Sequence, residues 1–383
     1  MKSNYKALYE LVERIDERNS DGSVTDLLGV SIDKCFIKSV ANTNGTDLTK
    51  YKVIRKDDFA VSLMQVSRDS KIPVARLDEY DKAIMSPAYP IFRVKDKKVI
   101  LPEYLDMWFK RPEFDREAAF IAVGGVRGSM PWEEFEKMQL PVPPIEEQLE
   151  IVASYKAITD RIALKRRIND NLEATAMAIF KAHFVTFEQY EGSMPTNWKK
   201  ATIGDVVTVT RGASPRPIQD YMSETGVPWV KISDASASVS KYLFSTAECI
   251  IPEGVSSSRT VLPGMMIVSN SASPGLPMIM EITACVHDGW LIIDDYKGVT
   301  QEYMYYHFLN ERHGLVSSSN GSVFNNLKTD IVKAHPVIIP DEDTMTAISQ
   351  QFCSLNHSIK QNAQEIIALN ELRNSLLSQL SGN

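Results

Sequence analysis

The chain repeats itself at a distance of 197 residues. Gly124 and Gly321, Val126 and Val323, Pro143 and Pro340, Ile151 and Ile348, Tyr155 and Phe352, Ile158 and Leu355, Ile162 and Ile359, Leu172 and Leu369, and Ile179 and Leu376 are each separated by that offset of 197. A gapless row of such pairs is a tandem duplication. A period this long is not that of a solenoid, so it marks two copies of a whole unit, each a globular domain followed by a helix.

The bulk numbers agree. A chain of 383 residues exceeds one ordinary core and suits two domains with connecting elements. Its 44% hydrophobic and 24% charged composition is that of a globular protein. No run of about 18 apolar residues exists, and Met1 to Arg18 is polar and charged, so no membrane partner, membrane span or secretory signal is expected and a cytoplasmic location is. Cys35, Cys249, Cys285 and Cys353 lie far apart without a Cys-x-x-Cys pair, which speaks against a disulfide framework or a zinc ribbon. No metal site is expected; the spacing of Cys285, His287, His307 and His313 fits no zinc pattern.

An α+β organisation is predicted for each domain. Tyr5 to Glu17 has apolar residues at helical spacing, at Leu8, Leu11, Val12 and Ile15. Short β-rich runs follow, such as Lys52 to Ile54, Phe59 to Met64 and Ile91 to Val94, and Leu101 to Phe114 reads as one helix. The second domain has strand-like runs at Val206 to Thr210, Val227 to Ile232, Met265 to Ser269 and Pro277 to Ile282. It closes on a helix beginning Glu302-Tyr303-Met304, which echoes Glu103-Tyr104-Leu105 at an offset of 199.

Between and after the domains lie two long helical patterns. After Leu140-Pro141-Val142-Pro143-Pro144, where proline forbids helix, Glu146 and Glu147 complement the dipole of a helix that runs on to Lys181. It would be roughly 54 Å long. Its stripe comprises Ile151, Tyr155, Ile158, Ile162, Ile168, Leu172 and Ile179, at steps suited to a partner helix. Ile348, Phe352, Leu355, Ile359, Ile366, Leu369, Leu372, Leu376 and Leu380 form a matching stripe in the second pattern. Two matched stripes are simplest to bury against each other, antiparallel, as a coiled-coil-like spacer with a pseudo-twofold repeat. The predicted organisation is domain one over 1–144, helix one over 145–183, a linker over 184–197, domain two over 198–340 and helix two over 341–383.

The signatures of common catalysts are absent: no phosphate loop, dinucleotide fingerprint, nucleophile elbow or His-Glu-x-x-His. Ser86-Pro87-Ala88-Tyr89 resembles an amino-methyltransferase loop but lacks its second proline, and reads better as a turn at a strand end. What remains are polar loops poor in acid. The formal charge of −7 weighs against nucleic-acid binding. Its distribution softens that, since residues 341–383 carry Asp341, Glu342, Asp343, Glu365 and Glu371 against Lys360 and Arg373, whereas Gly254 to Met280 and Ala119 to Trp132 contain no acid.

Those loops hold the candidate DNA-binding residues. Arg211-Gly212-Ala213-Ser214-Pro215-Arg216-Pro217 offers Arg211, Ser214 and Arg216 beside a glycine that lets the backbone approach a ligand. Lys231, Arg259, Asn270 and Ser273 follow, then Asn320, Asn325, Asn326 and Lys328. In the first domain the candidates are Arg68, Lys71 and Arg76, then Arg127 and Ser129 within Gly124-Gly125-Val126-Arg127-Gly128-Ser129. Arginine forks onto guanine, asparagine onto adenine and serine onto either. The plain alternative for any one stretch is a solvated loop.

The whole pattern resembles the specificity subunit of type I restriction-modification systems. The resemblance rests on Pro143-Pro144-Ile145-Glu146-Glu147-Gln148 opening a helix, Trp198 to Asp205 leading to Gly212-Ala213-Ser214-Pro215, and Val227-Pro228-Trp229-Val230. It implies two target recognition domains that read the halves of a split, asymmetric site in double-stranded DNA. It further implies helices that set the gap and dock two methyltransferase subunits, with endonuclease/translocase subunits joining the larger complex. On that view this chain is not an enzyme and binds no cofactor; S-adenosylmethionine, ATP and Mg belong to the partner subunits. The recognition partner of a type II enzyme with fused nuclease and methyltransferase, and a non-DNA scaffold with two domains on a coiled coil, remain open. The first domain lacks the Trp-start and Gly-x-Ser-Pro landmarks, and Ile339-Pro340-Asp341-Glu342 replaces Pro-Pro-x-x-Glu-Gln in the second repeat.

Overall fold

The computed structural model describes residues 4–39, 45–64, 66–123, 128–318 and 327–380. The chain forms two compact units, Met1–Arg161 with Leu369–Asn383, and Ile162–Ala368. Each takes in part of both long helices.

In the first unit the strand Tyr5–Ala7 pairs antiparallel with Gln139–Pro141, so the segment that opens the domain also closes it. A single helix over Tyr5 to Glu17 is not what forms. The helical part is one turn, Leu8–Leu11, followed by the strand Val12–Ile15. The Glu10 side chain accepts the Ala7 N–H at 2.9 Å, and Val12 is already extended. β-Branched Val12 and Ile15 gain ladder partners in Ile91–Val94, which outweighs a helical spacing that four residues satisfy by themselves. Leu101 to Phe114 likewise divides into Pro102–Phe109 and Pro112–Ile121. Pro112 disfavours helical backbone at Arg111, whose ψ is 137°, and starts a new helix at its own fixed φ.

Two four-stranded sheets make up this domain. One orders Val12–Ile15, Ile91–Val94, Phe59–Val61 and Val74–Arg76, all antiparallel. The other orders Phe36–Lys38, Leu27–Val30, Lys82–Met85 and Lys52–Arg55, with the middle pair parallel. Phe59, Phe92, Phe109, Phe114 and Phe135 are fully buried together, with Phe59 and Phe92 stacked at 5.2 Å. Such ring pairs add about 0.5–1.5 kcal/mol each beyond their burial.

The second unit repeats this plan and adds one edge strand to each sheet, Tyr242–Leu243 beside Pro277–Met280 and Met222–Ser223 beside Glu248–Ile250. Lys199–Thr202 pairs with Pro336–Ile339 as Tyr5–Ala7 pairs with Gln139–Pro141. The turn Ile203–Val206 stands for Leu8–Leu11, and Thr208–Arg211 pairs with Trp290–Asp294 as Val12–Ile15 pairs with Ile91–Val94. Val227–Val230 lies parallel to Ala284–Val286 as Leu27–Val30 lies parallel to Lys82–Met85, and Arg259–Val261 takes the place of Lys52–Arg55. The duplication therefore covers the domains as well as the helices, although their middles have no legible sequence match. Gln301–Ser318 is the closing helix.

The first long helix spans Ile145–Phe184, 40 residues, and the second Glu342–Gln379, 38 residues. Their entries are built differently. Gln148 is fully buried; its carbonyl accepts the Leu101 N–H at 2.9 Å and its amide donates to the Val99 and Pro143 carbonyls at 2.9 and 2.8 Å. The second helix is capped by Asp341, which accepts the Thr344 N–H at 3.0 Å and the Trp198 indole N–H at 2.8 Å.

Within the second unit the helix segments run antiparallel: Lys165 Nζ lies 2.9 Å from Asn362 Oδ1 and 2.8 Å from Glu365. Asn362 donates to Asn169 Oδ1 at 2.8 Å, and Asn169 to the Ile359 carbonyl at 3.3 Å. Ile348, Phe352 and Ile359 are buried in the domain core with Ala176, Phe180 and Phe184, and Leu172, Ile179 and Leu355 pack on it. In the first unit Ile151, Tyr155 and Leu376 flank a core containing Leu377 and Leu380. Ile162 is buried; Ile158 and Leu369 are half-buried. Two positions of the predicted stripes are exposed, Ile168 and Leu372, whereas Asn169 and Leu377 are buried. The seam is thus polar at its middle, and such buried amides fix register at a cost in stability.

Candidate nucleic-acid interface

In the second unit the candidates gather around a residue the sequence did not single out. Asp288 sits in the turn joining Ala284–Val286 to Trp290–Asp294. Trp290, fully buried, anchors that turn by donating its indole N–H to the Val230 carbonyl at 3.2 Å. Two glycines let the adjoining loop close on it. A Cβ at Gly212 would lie 2.2 Å from the His287 carbonyl oxygen, and one at Gly289 would lie 2.1 Å from the His287 ring. His287 Nδ1 accepts the Gly289 N–H at 2.8 Å.

Arg211 Nε donates to the Asp288 carbonyl at 2.9 Å, and one of its terminal nitrogens stands 3.9 Å from the carboxylate. Arg216 reaches the same carboxylate oxygen at 3.2 Å, and Ser214 Oγ donates to the other at 2.8 Å. Asn270, buried, donates to the Asp288 carbonyl at 3.0 Å. Burial alone would raise the Asp288 carboxyl, but the Ser214 hydrogen bond and the Arg216 charge outweigh it and hold it below the usual carboxylate range. Arg211 and Arg216 nonetheless remain 56% and 70% exposed, so both can meet a ligand.

The other candidates of this unit are placed individually. Arg259 is exposed on the strand beside Val286, and neighbouring Ser258 donates to the Ala213 carbonyl at 2.9 Å, tying that strand to the arginine loop. Lys231 is paired with Glu248 at 2.5 Å. Ser273 is held by Arg312, whose guanidinium lies 2.7 Å from its hydroxyl. Lys328 is exposed ahead of the helix Thr329–Ala334. Asn320, Asn325 and Asn326 lie outside the described residues.

In the first unit Arg68, 63% exposed, is paired with Asp69, and Gly128 comes so close that a Cβ there would meet Ser67 Oγ at 2.2 Å. This brings the Gly128-Ser129 segment beside Arg68; Lys71 is exposed nearby in sequence. Arg76 belongs to the fold: it is 13% exposed, with Asp57 at 2.7 Å and Asp78 and Glu103 at 3.6 Å. Three carboxylates hold it, so it is not free to contact a phosphate. Arg127 lies outside the described residues. By strand order, the counterpart of the Asp288 turn is Ser86 to Pro90, a turn as read, and that of Arg259 is Lys52. Lys52 is buried and ties the Tyr89 carbonyl (3.0 Å) to Asp16 (3.5 Å), so the first unit closes with a lysine where the second leaves its arginine exposed.

No protein-family model matches the chain. The specificity subunit of the type I restriction enzyme MjaIX from Methanocaldococcus jannaschii is 22% identical over 302 residues, covering 74% of this chain and 69% of that protein. That of the HindI enzyme from Haemophilus influenzae is 25% identical over 165 residues, 43% of this chain and 35% of the relative. The chain is similar in sequence to type I specificity subunits. The crystal structure of a type I restriction-modification S subunit from M. genitalium has the same fold, with a TM-score of 0.60 at 12% identity over 99% of this chain and 96% of that one. The convergence on Asp288 brings guanidinium, hydroxyl and amide donors around one small turn. Among the described residues no helix is long and apolar enough to cross a membrane.

Proposed function

We propose that the chain is the DNA-reading subunit of a type I restriction-modification complex, with each domain reading one half of a bipartite, asymmetric site. The observation that carries this is the duplicated strand order: one core topology made twice, each copy closed by its own strand pair and followed by its own long helix. Two readers of one design with unlike loops suit two unlike half-sites. The helix pair sets the gap between them and docks two methyltransferase subunits, and endonuclease/translocase subunits complete the assembly. Those partners carry S-adenosylmethionine, ATP and Mg.

The test is methylation in cells. Co-expressed with its methyltransferase subunit, the chain should direct adenine methylation to a consensus of two short elements separated by a fixed unspecified gap, read by long-read sequencing. An unsplit consensus, or none, would sink the proposal. Within that assembly, Arg211→Ala or Arg216→Ala should weaken cognate binding by about 1–3 kcal/mol if the guanidinium makes a bidentate base contact. A uniform loss on all duplexes, with a shallower salt dependence, would assign the arginine to the phosphate backbone instead.

A further inference from the structure

Arg211 and Arg216 present two guanidinium groups on one loop. Left alone, such a pair attracts any phosphate, because charge contacts to the DNA backbone are independent of sequence. The loop does not leave them alone. A single carboxylate oxygen of Asp288 stands 3.2 Å from Arg216 and 3.9 Å from Arg211, where a phosphate oxygen between two arginines would stand. Ser214 fixes the other oxygen at 2.8 Å. The ion pairs are exposed, with Asp288 at 41%, and pairs of that kind contribute at most about 1 kcal/mol. They are therefore easily exchanged. Arg211 also keeps its Nε on the Asp288 backbone carbonyl, so its orientation survives release of the carboxylate.

We infer that Asp288 is an internal anion that occupies Arg211 and Arg216 in the free chain and is displaced by a DNA phosphate at a matched half-site. This rests on the DNA-reading proposal and deepens it: Asp288 imposes one displacement cost on every duplex, which base contacts offset only at a matched half-site. A random duplex must displace the carboxylate without compensating base contacts. A matched one displaces it with them.

The experiment uses Asp288→Asn, which keeps the shape of the turn and removes the charge, in the assembly with methyltransferase subunits. Affinity for a random-sequence duplex and for the cognate duplex is measured across ionic strength, with thermal melting as the control for folding. The expected result is random-duplex binding tightened about fivefold at low salt, with a salt dependence steeper by roughly one phosphate, and cognate binding tightened at least as much. Adding Arg216→Gln should return random-duplex binding toward the unsubstituted level. Unchanged or weakened random-duplex binding in a folded Asp288→Asn protein overturns the inference, as does a double variant whose effect is the sum of the two single ones. If Asp288→Asn loses its fold, Asp288→Glu, which moves the carboxylate by one carbon, must shift random-duplex binding in the same direction. No shift there overturns the inference. The methylation pattern of the unsubstituted chain is read separately, so a bipartite consensus with no Asp288 effect rejects only this inference; if the unsubstituted assembly binds no duplex, both fall.

Discussion

Replacing Lys241 with alanine should destabilise the second unit by about 3–5 kcal/mol, read as the midpoint of urea unfolding. Its side chain is 3% exposed and touches three helices. The ammonium lies 3.0 Å from Glu173 on the first long helix, 2.5 Å from Asn356 on the second and 2.9 Å from the Tyr306 hydroxyl on the closing helix. It also sits over the rings of Tyr305 and Tyr306 at 4.3 and 4.8 Å. Taking the cation away strands Glu173, whose second oxygen is already buried without a partner. Removing one member of a buried charged set is costly because the other charge stays desolvated. Lys241→Met, which keeps the hydrocarbon stem, should cost less than Lys241→Ala. Equal losses would put the stability in the ammonium's contacts alone, a loss confined to Lys241→Ala would put it in the packing of the stem, and an unchanged midpoint for both would overturn the prediction.

Acidification should be the other large effect. His307 is buried against Phe180, Tyr303 and His335, and its Nε2 has no partner among the described residues. Burial, and secondarily the charge of His335, pushes its pKa down to about 3 from 6.5. The unfolded chain takes up a proton as pH falls through 6.5, whereas the folded chain does so only near 3. Stability is therefore full above pH 6.5 and lost progressively below it, by about 2 kcal/mol at pH 5. Burial lowers His183 and His287 as well, so both add in the same direction. Lowered carboxylates such as Asp341 act only below their ordinary range near 3.8. Stability measured between pH 7.5 and 5 should fall in the native chain and fall much less in His307→Phe. An equal slope in both would show that the imidazole is not the group responsible.

The sequence carries some of this and hides the rest for physical reasons. Helices facing one another keep side chains at fixed steps, so Ile151/Ile348 and Ile162/Ile359 remain visible at their offset. Strand pairing needs only backbone and some β-former, so Leu27–Val30 and Val227–Val230 hold the same place in two sheets without sharing a readable pattern. Spacing also misplaced single residues. Ile168 fits the stripe arithmetically, yet Asn169 turns inward because Asn362 offers it an amide. At the site, Arg211, Ser214 and Arg216 were legible as donors in a Gly/Pro loop. Asp288 was not, since it is 72 to 77 residues away along the chain and reads as an ordinary turn aspartate. Arg76 shows the converse: a cation in an apparently polar loop that is held by neighbouring Asp78 and by Asp57 and Glu103 from remote segments.

The 2.9 Å contact between Lys165 and Asn362 joins two residues that are 197 apart, a position and its own copy. A residue touches its copy only where a twofold axis crosses the seam, the isologous contact of a homodimer. The duplicated chain thus retains the mark of an ancestor in which two identical subunits met at this point. Fusion into one polypeptide freed the two positions to mutate separately, and the lysine–asparagine pair, with Glu365 beside it, is an asymmetry that no homodimer could encode.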